Sequence, residues 1–420
     1  MRNTLFCLVL VVPNAIAAAA DHWTQFRGPD GAGISDATGL PIEWSESSNV
    51  RWKTAIQGKA WSSPVVWGEQ VWVTNATEDG KRLSALCIDR KTGEIERDLL
   101  VFAIEKPQFC YPFNSYASST PVIEQGRIYV HYGSHGTACL DTADGRTIWS
   151  RQDLPCDHFR GAGSSPIVFG ELLFLTFDGA DRQYVAALDK TTGETVWQKD
   201  RGIDYGTDNG DNKKAFGTPA IIATGGKAAL VSPSAAATIA YDPLTGSELW
   251  RVQHGGMNAA APPLSGQGLI FVNTGDGGFK QFAVRPGGQG DVTESRVVWK
   301  FQTGVPSRCA PLLIGERLFM LNEAGIVTCL DAKTGEVVWK HRLGGNYSSS
   351  PLSAEGRIYL NGEDGTSHVI AAGRKFELLS TNHLDAGCMA TPAIAGRAIF
   401  HRTKTHLYRL EEGAPAAAKK

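Results

Sequence analysis

Three groups of side chains have the types and spacing to do chemistry. The first is rich in imidazole and carboxylate: His131 and His135 in "HYGSHG", His158 and Arg160 in "CDHFRGAG", Asp178 and Asp181 in "FDGADR". Such groups could ligate a metal or relay protons. His131 and His135 are four apart, but a loop does not give them the helical i, i+4 geometry, and solvated loop histidines or local hydrogen bonding would leave the same pattern. The second is "DYGTDNGDN", where Asp204, Asp208 and Asp211 offer hard oxygen ligands for calcium. Its spacing departs from an EF-hand loop, and a flexible acidic loop is the alternative. The third is aromatic: Trp61, Tyr116, Phe216 and Tyr347, with Asn346 and Arg308 close by. Flat rings around a polar axis could stack on a planar ligand, or they could simply cap a core. No G-x-S-x-G, P-loop or C-x-x-C motif accompanies these groups.

What must position them is a repeat. The hairpins "LDTADGRTIWS", "LDKTTGETVWQ", "YDPLTGSELWR" and "LDAKTGEVVWK" place Asp141, Asp189, Asp242 and Asp331 eight residues before Trp149, Trp197, Trp250 and Trp339. Glycine closes each turn, where positive φ is needed, and the aspartate can bond its own turn backbone. The tryptophan then stands on the following strand as a large apolar plug. A second signature precedes each hairpin, from "SSPVV" to "ATPAI", and its prolines recur at intervals of 40 to 57 residues. Periods of this size signal propellers or solenoids. Each unit has material for four strands, which is one propeller blade. The last unit, "AIFHRTKTHLYRLEE", stops after its third strand, and "VRWKTAI" near the start matches "VVWKHRL". Trp52 therefore completes the final blade, and the N-terminal strand closes the ring and removes exposed edges. The expectation is all-β: an eight-bladed β-propeller of four-stranded blades over residues 50–411. Trp52, Trp149, Trp197, Trp250, Trp299 and Trp339 are its structural plugs. The first unit has Arg97 where tryptophan is expected, and the seventh, "AAGRKFELLS", has neither aspartate nor tryptophan.

Outside the ring, residues 1–20 read as a secretory signal, with Arg2, a short apolar run and small residues before a cut near Ala20. Residues 21–49 form a lead expected to wrap across the ring, and 412–420 read as a disordered tail. No later segment has the ~18 apolar residues of a membrane span. The expected location is therefore periplasmic or extracellular. The 41 basic and 43 acidic residues nearly cancel and are dispersed, which argues against a nucleic-acid footprint. Cys87, Cys139 and Cys329 fall at strand positions, as buried small hydrophobes would. Cys110 and Cys156 occupy equivalent loops of neighbouring units and could form a disulfide in an oxidising compartment. The two longest insertions, 101–118 and 200–216, open on one face of the ring, which marks that face for binding.

The "xLDxxTGExxW" units and their spacing resemble the pyrroloquinoline quinone (PQQ) repeat family over nearly all of residues 50–410. That family includes quinoprotein alcohol dehydrogenases and the propeller lipoprotein of the outer-membrane assembly machinery. The resemblance implies the fold strongly and an activity weakly, because the repeated residues are structural. In the enzymes a calcium ion and a catalytic aspartate work beside the quinone, and a disulfide between adjacent cysteines packs on its ring. This chain has no adjacent cysteines and no C-x-x-C-H haem site. It also lacks a lipid-attachment cysteine like that of the assembly propeller. The expectation is a scaffold that presents its loop face to another protein or a polysaccharide, with no cofactor. A PQQ- and calcium-dependent dehydrogenase is the alternative. A scaffold should expose aromatics such as Tyr111 and Phe113 at the mouth, whereas an enzyme should close polar groups around a pocket.

Overall fold

Each unit folds as an antiparallel meander because its strands are short, alternate in burial and are joined by glycine-closed turns. A computed structural model describes residues 21–224, 226–278 and 280–414. The expected signal segment and residues 415–420 of the expected tail lie outside the described residues. Eight sheets are present, each led by a short inner strand: Val65–Trp67, Val122–Glu124, Ile167–Phe169, Ala220–Thr224, Leu264–Gly266, Leu312–Ile314, Leu352–Ala354 and Ala393–Ala395. We number the blades 1 to 8 in that order. The outermost strand of blade 8 is Val50–Ala55, paired antiparallel to His406–Glu411. This strand therefore closes the ring, as the sequence predicts, although a two-residue strand, Ile34–Ser35, precedes it in the chain.

The repeated residues form a latch between blades. In blade 3, Phe174, Ala187 and Trp197 lie side by side across three strands. Blades 2, 5, 6 and 8 repeat the arrangement as Tyr129–Cys139–Trp149, Phe271–Ala283–Trp299, Phe319–Cys329–Trp339 and Phe400–Arg409–Trp52. In blades 2, 3, 5 and 6 a small residue in the middle strand lets the flanking rings meet, and in blade 8 they meet across Arg409; the ring centroids lie 5.8–6.2 Å apart. Cys87, Cys139 and Cys329 occupy this middle position and are fully buried. Each tryptophan also reaches the next blade. Trp149 Nε1–H donates to Lys190 O at 2.9 Å, and a Cβ on Gly193 would sit 2.6 Å from the Trp149 ring. Trp52, Trp197, Trp299 and Trp339 make the same bond to Arg90, Pro243, Ala332 and Gly373. The turn glycine is thus required twice, for its positive φ of 77° and for the space the neighbouring indole fills.

The two irregular blades keep the latch by other means. In blade 1 Arg97 donates to Ala143 O at 2.7 Å, and Leu99 covers Gly145. One side chain supplies the hydrogen bond and the other the apolar cover. In blade 7 the ladder reads Tyr359–Val369–Ser380, and the missing indole comes from the lead: Trp44 stacks on Tyr359 at 6.3 Å and is 4 % exposed.

The lead also blocks the axis. Trp23 bridges Val66 of blade 1, Thr24 O accepts Ile123 N–H of blade 2, and Gly33 O accepts Ser353 N–H of blade 7. Between them Arg27, fully buried, donates to the carbonyls of Gly31, Ala32, Pro311 and Pro351. Burial lowers this guanidinium to about 10, and four carbonyls stand where a carboxylate would be usual. Ile34–Ser35 then adds a parallel strand to blade 7. At the far end Gly413 N–H meets Asn49.

Candidate functional site

Because the lead blocks one end of the axis, the ring encloses a blind funnel of about 830 Å³ that opens on the loop face. Phe26 of the lead lines it together with the residues before the inner-strand prolines: Ser63, Thr120, Ser165, Thr218, Ser350 and Thr391. Its walls carry Trp61, Phe113, Phe216 and Met389, and its charged groups are Arg160, Arg308 and Asp276.

The mouth is shaped by the first insertion, and the histidines hold that insertion in place. Gln108 N–H donates to His135 Nε2 at 3.1 Å. The Gln108 amide donates to Cys156 O at 3.0 Å and accepts His158 N–H at 3.2 Å. Asn114 donates to Arg160 O and Ala162 O, both at 3.0 Å. His158 Nε2 accepts Ser134 N–H at 3.1 Å, so its proton resides on Nδ1, which faces Cys156 Sγ at 3.9 Å. His131 bonds Thr137 at 2.8 Å. Burial lowers His131 to about 3, holds His158 well below the ordinary imidazole range with help from Lys214, and lowers His135. These imidazoles are neutral hydrogen-bonding posts inside blades 2 and 3 and do not reach the funnel. The reason is positional for His131: it ends the strand Arg127–His131, which is buried from Ile128 onward.

The remaining sequence candidates divide similarly. Trp61, Arg160, Arg308 and Phe216 line the funnel. Tyr116 donates to Gln108 O within the insertion. Tyr347 is buried in the core of blades 6 and 7, its hydroxyl 3.0 Å from His368 Nδ1. Asn346 is exposed and gives its carbonyl to Glu363 N–H. Asp178 is buried in a two-pronged pair with Arg201 at 3.0 and 2.7 Å, supported by Ser234. Lys214 is fully buried beside it, donating to Asp178 O at 3.3 Å and lying over Phe216 at 4.5 Å. Burial lowers its ammonium to about 8.

The three loop aspartates do not converge. Asp211 is a two-pronged partner of Arg160, Asp204 accepts Gly206 N–H in its own turn, and Asp208 is exposed. Among the described residues no group of three or more His, Cys, Asp or Glu side chains could hold a metal ion. Cys110 and Cys156 are free thiols, each facing backbone carbonyls: Cys110 those of Tyr111 and Arg160, Cys156 that of Arg182. The disulfide that the sequence left open between them is not formed.

Sequence reasoning missed Gln108, Asn114, Asn258 and Asp276. Only the length of the insertion and the glycines around "NTGDGG" marked their neighbourhoods. Asn258, at φ 54°, donates to Asp276 at 3.3 Å and leaves its own buried Oδ1 without a partner. Arg308 lies over the Phe113 ring at 4.8 Å, approaches Glu363 only at 3.6 Å, and has a buried Nε with no acceptor.

The family model described as outer membrane protein assembly factor BamB matches residues 105–180, 181–307 and 291–376, well over half of the chain. The outer membrane protein assembly factor BamB of Shewanella oneidensis is 21% identical over 300 residues, covering 66% of this chain and 70% of that protein. A polyvinylalcohol dehydrogenase from a Sphingopyxis species is 36% identical over 64 residues; the match spans 15% of this chain but only 10% of that relative. Among solved structures, BamB from Moraxella catarrhalis superposes with a TM-score of 0.59 at 13% identity, covering 86% of this chain and 99% of that one. The quinohemoprotein alcohol dehydrogenase from Comamonas testosteroni gives 0.66 at 12% identity, covering 96% and 83%. At such identities these likenesses show the fold alone.

Proposed function

This chain belongs to the PQQ-repeat family of eight-bladed propellers, and from that premise we propose that it is an exported scaffold that binds a partner protein on its loop face. The observation that carries the reading is the exposed aromatic rim. Phe109, Tyr111, Phe113 and Phe159 are 59, 48, 42 and 44 % exposed. Tyr111 and Phe113 line the funnel; Phe109, close to them in the chain, meets Phe159, next to the lining residue Arg160, at 6.2 Å. A cluster of large rings left in water at one place, with arginines beside it, has the composition of a protein-recognition patch. It is also built to stay there: Gln108 and Asn114 clamp the insertion to blades 2 and 3 at a cost in chain entropy. An interaction surface uses such pre-organisation because less order then has to be imposed on binding.

The quinoprotein alternative fits the residues poorly. The chain has no adjacent cysteines to lie on a quinone ring. Asp276, the carboxylate in the funnel lining, is held by Asn258, and the described residues assemble no acidic set for calcium. Among the described residues no helix is long and apolar enough to cross a membrane, which is compatible with a protein that acts beside one.

The test places a photo-reactive side chain at Phe113 and, separately, at Val338 on the outer edge of blade 6, in cells that export the chain. A defined protein adduct at Phe113 and none at Val338 supports the scaffold. Absence of a protein adduct at Phe113 overturns it. So does saturable quenching of tryptophan fluorescence by micromolar PQQ with calcium.

A further inference from the structure

The funnel floor repeats one chemical unit. Thr120, Ser165, Thr218, Ser350 and Thr391 each precede an inner-strand proline. Each hydroxyl oxygen accepts a backbone N–H from the neighbouring blade: Ser63 N to Thr120 Oγ1 at 3.0 Å, Thr120 N to Ser165 Oγ at 2.9 Å, Ser165 N to Thr218 Oγ1 at 3.0 Å, Ala310 N to Ser350 Oγ at 3.0 Å, and Ser350 N to Thr391 Oγ1 at 3.0 Å. A hydroxyl that accepts still has its own proton to give. None of the five finds a protein acceptor within hydrogen-bond distance among the described residues, and all five are at least nine-tenths buried while lining the funnel. The floor is therefore a collar of O–H donors whose acceptor capacity is partly used.

The groups above the collar favour the same kind of ligand. Arg160 is matched by Asp211, and Arg308 pairs with Glu363 at 3.6 Å but keeps an unpartnered Nε. The free Nε–H of Arg308 adds a cationic donor above the collar. Donors and positive charge together select an oxyanion. The funnel is also blind, because Phe26 and Arg27 cross the axis beneath it. A segment cannot pass through, but a chain end can enter.

We propose that the funnel binds the free carboxyl terminus of an extended partner segment. The terminal carboxylate sits on the hydroxyl collar, and the last side chains lie against Trp61, Phe113 and Phe216. This rests on the protein-partner reading above and names the part of the partner that is recognised.

The probe is an N-acetylated pentapeptide of alternating leucine and serine, titrated calorimetrically into the mature chain as the free acid and as the carboxamide. Charge-assisted hydrogen bonds to the carboxylate should make the free acid at least about tenfold tighter. Thr218→Val should weaken the free acid toward the carboxamide and leave the carboxamide unchanged, a split that general loss of folding would not produce. Arg308→Gln should weaken the free acid severalfold. Equal binding of the two peptides, or binding of neither, overturns the proposal. So does a carboxamide peptide with an internal aspartate that binds as tightly as the free acid. If any of these occurs while Phe113 still cross-links a partner, the scaffold reading stands and only the chain-end proposal fails.

Discussion

Trp44 lies outside every repeat, yet the structure gives it the work of a blade tryptophan, so Trp44→Ala tests the latch. An indole of this kind buries roughly 150–250 Å². At about 25 cal/mol per Å² that corresponds to about 4–6 kcal/mol, and a compact unfolded state reduces it to about 3–4. Trp44 Nε1 is buried without a partner, an arrangement that costs about 1–3 kcal/mol and is relieved on truncation. With the middle of that range, about 2 kcal/mol, relieved, the net loss should be about 1–2 kcal/mol. Trp149 is similarly buried, but its Nε1–H bonds Lys190 O. Trp149→Ala should cost about 1–2 kcal/mol more than Trp44→Ala, because that carbonyl loses its donor. Urea unfolding of the mature chain, followed by far-UV circular dichroism, gives both values if the slope is unchanged. A Trp44→Ala loss below about 0.5 kcal/mol, the level of an ordinary surface change, would refute the claim that the lead completes blade 7. A loss larger than that of Trp149→Ala would refute the hydrogen-bond argument.

Gly193→Ala should destabilise by about 2–4 kcal/mol, since a left-handed residue and a displaced indole both add cost. Gly206→Ala, at φ 60° with nothing within 4 Å of its Cβ, should cost only about 1 kcal/mol, so equal melting temperatures for the two variants would remove the packing role. Acid should release the aromatic rim. His135 and His158 accept backbone N–H groups only when neutral, and burial holds both below the ordinary value of 6.5. The released loop binds protons that the docked loop does not, so docking is intact above about pH 6.5 and weakens progressively below it. Hydrogen exchange of residues 101–118 should quicken reversibly from pH 7 to pH 5, and a flat profile would show that the histidines do not hold the insertion.

The ring was legible in the sequence because the turn glycine, its aspartate and the tryptophan each do a local job that recurs at fixed spacing. Arg97 and the seventh unit were not legible as latches. Their compensating groups, Leu99 and Trp44, lie outside the hairpin pattern and meet it only in space. The binding face could be read from the lengths of two insertions, and Trp61, Arg160 and Arg308 do reach the funnel. His131, His158 and Asp178 sit beside loops in sequence, but His131 and Asp178 end strands that run between blades and His158 packs inward from its loop, where they meet Thr137, Ser134 and Arg201. The Ser/Thr-Pro signature was visible as small residues near a crowded axis. That its hydroxyls bridge blades depends on which neighbour each strand faces, and a single unit does not contain that information.

The funnel joins what the repeat makes regular to what it leaves irregular. The inter-blade hydroxyl bonds run from blade 1 to blade 4 and from blade 6 to blade 8. They stop at Pro262 and Ala310, because proline has neither hydroxyl nor N–H and alanine has no hydroxyl. Other bonds tie that sector: Phe216 N–H to Ala259 O, Asn258 N–H to Lys214 O, and Asn273 to Pro306 O. The same sector holds Asn258 in its left-handed conformation, Asp276 and the under-partnered Arg308. Symmetric positions can supply only one kind of donor around the axis. Direction and sign must come from where symmetry fails, so the loops of blades 4 to 6 are where substitutions should alter which ligand is preferred. Substitutions in the collar of blades 1 to 4 should instead alter how tightly any carboxylate is held.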